Sequence, residues 1–132
     1  MILIDSSVWI DYLRKRVTWQ TEQLNALMSG QRLAIGDLAL AEVLQGCRDR
    51  RHLEQVLDFL SDYQIVTISG IEIAIEAARN YLKLRSAGIT IRKTINGLIA
   101  TRCIHDGYTL LHSDRDFDPF AEHLGLQVVT PA

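Results

Sequence analysis

Five short, largely apolar runs separated by segments of helical period constrain the fold of this 132-residue chain more than any other feature. The runs are ILI at 2–4, RLAI at 32–35, QIVTI at 64–68, YTLLH at 108–112 and LQVV at 126–129. Between them, the spacing predicts helices over 8–15, 18–29, 38–45, 49–63, 71–87 and 95–106. A short helix follows the SDRDFD turn of 113–118 and runs to Leu124. Strands that alternate with helices are joined by crossovers, which makes the sheet mostly parallel and covers both its faces. The expected architecture is α/β, a three-layer α/β/α sandwich. The length suits a single domain over 1–132. In the long helix of 71–87 Ile71, Ile75, Ala78 and Leu82 fall on one face, and in the helix of 49–63 Leu53, Val56, Leu57 and Leu60 make the buried stripe.

The first run, Ile2 to Ile4, is uninterrupted and belongs in the middle of such a sheet, so Asp5 sits at the carboxyl end of a central strand. Ligands of open α/β sheets bind beyond those ends. Ser6 or Ser7 is placed to cap the helix that follows. On these residues alone Asp5 reads equally as an ordinary turn aspartate. Asp114 and Asp116 follow the fourth run and open on the same sheet edge. Glu42 is the only acid in the apolar helix 38–45. Either it is buried and needs a partner such as a metal ion, or it shares a narrow solvated stripe with Gln45. Oxygen ligands converging without histidine or cysteine suit a hard cation, Mg²⁺ or Mn²⁺, and such a site does phosphodiester hydrolysis.

A net charge of −2 excludes a uniformly basic nucleic-acid binder, but an acidic pocket ringed by cations gives the same sum. Arg92, Lys93, Arg102 and Arg115 are the candidates for RNA phosphates, with a solvated face as the other reading of each; Arg115, fixed between two acids, is the best placed. No stretch approaches the ~20 apolar residues of a membrane span, and there is no basic leader, so no membrane contact and a cytoplasmic location are expected. Cys47 and Cys103 lack metal-site spacing and read as reduced thiols. The four histidines show no paired-ligand spacing. Trp9, Trp19, Tyr12 and the 53–60 stripe supply apolar surface for core packing or for a partner helix.

Three stretches, IDSSVWIDYL, LAEVLQG and INGLIATRCIHDGYTLLHSDRDFDPFA, together resemble the PIN-domain ribonucleases, and specifically toxins of the VapC type from bacterial toxin–antitoxin pairs. The resemblance implies a central parallel sheet, an acidic pocket for Mg²⁺ or Mn²⁺, and endonucleolytic cleavage of RNA, often a tRNA or ribosomal RNA loop. It also implies a homodimer and a tight complex with a cognate VapB-like antitoxin. By position, Asp5 matches the family's first acid, Glu42 its second and Asp114 its last. Asp116 matches a further acid of the same turn, acting through water or in support of the ligands. Ser7 matches a supporting hydroxyl residue, and Phe117 reads as a core anchor.

One position departs from the pattern: where the family carries an aspartate before LIA, this chain has Asn96. An amide has a similar shape but no charge, so a hard cation should be held less well and activity impaired. An engineered change, a natural variant or a structural capping asparagine each account for it. Asn96 also precedes Gly97, a pair prone to deamidation, which would restore aspartate. Two other acid-at-strand-end families fit worse. A haloacid-dehalogenase-like phosphatase needs an aspartate where Ser7 stands, and a receiver domain needs a phosphate-accepting aspartate that the 64–69 segment lacks. A non-catalytic RNA- or protein-binding module is the alternative that Asn96 favours and the retained acids oppose.

Overall fold

In the computed structural model, which describes residues 1–30 and 32–131, the five runs form one sheet in the order β3-β2-β1-β4-β5. Ala132, the last residue of the expected domain, lies outside that description. The strands are β1 (Ile2–Ile4), β2 (Leu33–Gly36), β3 (Gln64–Val66), β4 (Thr109–Leu111) and β5 (Gln127–Val128), and every pairing is parallel. β1 is central, as its apolar run predicts, with Ile2 beside Leu33 on one side and beside Thr109 on the other. The chain first winds outward from β1 through β2 to β3, then returns to the other side of β1 at β4. The reversal falls between β1 and β4, the point at which an open parallel sheet leaves a crevice beyond its strand ends.

Strand alternation divides the core into two layers. Leu3, Ala34 and Leu110 point to one face, where α5 (Ile71–Ser86), α6 (Thr94–Asp106) and α7 (Asp118–His123) pack with Leu84, Ile99, Phe117 and Phe120. Ile4, Ile35 and Leu111 point to the other. There α1 (Ser6–Leu13), α2 (Trp19–Leu27), α3 (Asp37–Gln45) and α4 (Arg50–Leu60) pack with Val8, Trp9, Leu24 and Val43. The three layers are those the alternation predicts.

Several local expectations need correction. Asp5 itself, and neither serine, is the N-cap of α1; its carboxylate accepts the Ser7 N–H at 3.2 Å. The helix predicted over 95–106 begins one residue earlier, at Thr94, with Lys93 in the N-cap position and no side-chain capping bond. On α5 the expected stripe faces outward: Ile71 is 83% exposed and Leu82 58%, whereas Ile73, Asn80 and Leu84 are buried. Two apolar stripes compete on this helix, and the buried one is disguised by Asn80. Its side-chain amide is satisfied by the Thr101 hydroxyl at 3.0 Å, so a polar residue can lie in the interface with α6.

Candidate functional site

The first half of the site is built on β1. The backbone of Asp5 continues the sheet by donating to Leu111 O at 2.9 Å, which brings the end of β1 against the end of β4. Its side chain is buried, with Ser7 Oγ 2.5 Å from Oδ2. The same hydroxyl accepts the Ser113 N–H at 3.3 Å, so Ser7 ties the acid of one strand to the turn after another. Burial pushes the Asp5 carboxyl above its ordinary value of 3.8, although the Ser7 hydroxyl and amide oppose the shift. Glu42 reaches the same region from α3, half-buried, and accepts the Ser6 hydroxyl at 3.1 Å. Its partner is therefore a hydroxyl group, while Gln45 is exposed. Adjacent serines of α1 thus each hold one acid, a use for Ser6 that the sequence reading missed because caps and acid-holding hydroxyls look alike there.

The second half lies beyond β4. Asp114 caps a single 3₁₀ turn, Arg115–Phe117, by accepting the Asp116 N–H at 2.9 Å. Asp116 is buried and receives the backbone N–H groups of Arg92 and Lys93 at 3.1 and 3.2 Å. Asn96, in the first turn of α6 and only 6% exposed, stands between these two acids. Its Nδ2 donates to Asp114 Oδ2 at 3.1 Å and to Asp116 Oδ2 at 3.2 Å. Burial alone would raise the Asp114 carboxyl. The Asp116 N–H, the Asn96 amide and the charges of Lys93 and Arg92 together outweigh it and leave the carboxyl below its ordinary value.

His112 connects the halves. Its Nδ1 accepts the Asp114 N–H at 3.2 Å, its ring lies tilted against Phe117 with centroids 4.9 Å apart, and burial holds the imidazole below its usual range despite the nearby charge of Asp5. The sequence reading gave it no role; its place at the strand end directly before the acids was the available signal. Phe117 is fully buried, the core anchor expected of it.

Of the cations, Lys93 lies closest to the acids, its Nζ 3.8 Å from Asp114 Oδ2, while Arg92 and Arg115 have exposed side chains at the same rim. Arg102 does not belong with them. Its guanidinium donates to Ile68 O and Ser69 O, each at 2.9 Å, and pairs with Asp106, which makes it a fastener of the segment entering α5. The expected deamidation of Asn96 also meets an obstacle. It requires the Gly97 nitrogen to attack the side-chain carbonyl, and in the helix that N–H is committed to Lys93 O at 3.3 Å.

Asp5, Glu42, Asp114 and Asp116 are oxygen donors of the kind a hard cation takes. Among the described residues, however, no three His, Cys, Asp or Glu side chains are grouped to hold a metal ion. The position that would complete the group presents an N–H donor to its neighbours, so the side chains as they stand do not fit a divalent cation at this corner. No helix among the described residues is long and apolar enough to cross a membrane.

Residues 2–123 match the PIN domain family. Over 135 aligned positions, covering 98% of each chain, the sequence is 31% identical to the ribonuclease VapC11 of Mycobacterium tuberculosis and to the VapC ribonuclease Mb1587 of Mycobacterium bovis. Among solved structures, the chain resembles VapBC2 from Rickettsia felis bound to a fragment of promoter DNA, with a TM-score of 0.76 and 22% identity over 98% of both chains. It also resembles a toxin–antitoxin complex from Klebsiella pneumoniae, with a TM-score of 0.72 and 21% identity over 100% of this chain and 98% of the other.

Proposed function

This chain belongs to the PIN-domain family, and from that membership we propose that it is the toxin of a toxin–antitoxin pair, an endoribonuclease by descent whose cleavage is impaired by Asn96. The observation that carries the reading is full-length similarity to VapC ribonucleases together with acids beyond the ends of β1 and β4, the two strands that flank the reversal point of the sheet. Asp5, Glu42, Asp114 and Asp116 are the hydrolytic residues, with Ser7 supporting Asp5. Arg92, Lys93 and Arg115 at the rim meet the phosphates of the incoming RNA and offset the repulsion of the acids. The substrate is RNA, with tRNA or ribosomal RNA the first choice, and the place of action is the cytoplasm.

VapC-type nucleases generally depend on a divalent metal, Mg²⁺ or Mn²⁺. In this chain Asn96 removes one negative charge from the group that would hold it, and that is the source of the impairment.

Two surfaces support the partners. A cavity of about 510 Å³ lined by Tyr12, Leu13, Val17 and Phe59 and by the charged Lys15, Arg16 and Glu22 suits an amphipathic antitoxin segment. Trp9, fully buried, belongs to the core beneath. The outward face of α5, carrying Ile71, Ile75 and Leu82, suits a second copy of this chain in a homodimer. Expression in bacteria tests the reading. Asn96→Asp should arrest growth, co-expression of the cognate VapB-like antitoxin should relieve the arrest, and the unaltered chain should be tolerated. Equal growth of the two chains would count against a toxin.

A further inference from the structure

We propose that Asn96 serves as a built-in substitute for a cation, its amide bridging Asp114 and Asp116 so that this half of the site is closed without metal. The inference rests on the toxin reading for the site's location and concerns what the amide does there.

The orientation of the amide is fixed by its surroundings. Both neighbours of Nδ2 are carboxylate oxygens, which only accept, so the NH₂ group must face them and the carbonyl must face away. Asn96 therefore brings to this pair hydrogen-bond donors, where an aspartate would bring a third set of acceptors. The remaining oxygens are also provided for. Asp114 Oδ1 accepts the Asp116 N–H at 2.9 Å, and Asp116 accepts from the Arg92 and Lys93 backbones. The pair thus has a donor for every carboxylate oxygen, and Lys93 Nζ adds a positive charge at 3.8 Å from Asp114.

Asn96 and Asp116 are 6% and 8% exposed, so the bond between them forms where water competes poorly, while the bond to Asp114 is part-buried; loss of the amide leaves the Asp116 charge less compensated. An aspartate at 96 would convert two attractions into two repulsions in the same buried space. A cation entering the present site would first have to displace an amide already bonded to both acids. The bridge thereby accounts for a site that stays ordered while the nuclease is held off, a consequence that loss of charge alone does not give.

Thermal unfolding tests this. The unaltered chain should melt at the same temperature in a chelator and in millimolar Mn²⁺. Asn96→Asp should melt lower in chelator by at least about 5 °C, with most of that loss restored by Mn²⁺. As a second readout on the unaltered chain, the Asn96 side-chain amide protons should exchange slowly and keep their NMR shifts when Mg²⁺ is added. Equal melting of the two chains in chelator, or fast exchange of those protons, would overturn the bridge. Restoration of Asn96→Asp by Mn²⁺ with no RNA cleavage would uphold the bridge and remove the nuclease reading.

Discussion

The Ser7 hydroxyl lies 2.5 Å from Asp5 Oδ2, and the two residues together join the carboxyl ends of β1 and β4. A carboxylate fixed in a buried position at a strand junction carries a cost in stability, since burial disfavours its ionised form.

Asp5→Asn should therefore stabilise the protein at neutral pH in the absence of divalent ions, raising the melting temperature by a few degrees. The sign follows from linkage. The folded-state value lies above the ordinary 3.8, so the native state favours the protonated form, and stability is lost as pH rises through the folded-state value. An asparagine does not ionise and escapes that loss. Melting curves from pH 4 to pH 8 should show the gain shrinking toward the acid end; a gain that grows as pH falls would contradict the assignment.

Gly36 ends β2 directly against Ile68. A Cβ at position 36 would come within 2.6 Å of both Cγ1 and Cδ1 of Ile68. Ile68 has little freedom to retreat, because its side chain is fully buried, its N–H donates to Asp37 Oδ1 and its carbonyl accepts from Arg102. Gly36→Ala should cost about 1–3 kcal/mol through overpacking, measured by urea unfolding. A neutral effect would mean that the segment after β3 shifts more freely than its hydrogen bonds imply.

Arg102 and Arg115 should separate stability from RNA binding. Arg102→Ala strands two carbonyls and should cost about 2 kcal/mol, with RNA affinity unchanged at permissive temperature. Arg115→Ala, at an exposed side chain, should leave the melting temperature unchanged, weaken RNA binding and reduce its salt dependence. Electrophoretic or fluorescence titration at two salt concentrations, alongside melting curves, checks both. Loss of RNA affinity in Arg102→Ala alone would reverse the two roles.

Strand–helix alternation revealed the layers and the central place of β1, because a run such as ILI has few ways to be buried other than between two helical layers. It did not reveal which face of α5 is buried. Ile71, Ile75 and Leu82 make a convincing stripe, but the opposite side is the buried one, with Ile73 and Leu84 in the core and Asn80 accommodated between them by its bond to Thr101. At the candidate site, the positions of three acids were legible because Asp5 directly follows β1 and Asp114 and Asp116 lie in the turn beyond β4. The interactions around them were less so. Ser6 reaches across 36 residues to Glu42, and the Arg92 and Lys93 backbones across more than 20 to Asp116. Arg102 looked like its basic neighbours until its partners proved to be backbone carbonyls. Asn96 was legible as an anomaly, but its donors facing two acids became evident only in three dimensions.

The most direct test is cleavage of a tRNA and ribosomal RNA panel, with Mg²⁺ or Mn²⁺, by this chain, by Asn96→Asp and by Asn96→Asp combined with Asp5→Ala. The account predicts cutting at a discrete site by Asn96→Asp, a rate on the order of 100-fold lower for the unaltered chain, and no cutting once Asp5 is removed. Cleavage of equal rate by the unaltered chain, or none by Asn96→Asp, would contradict it.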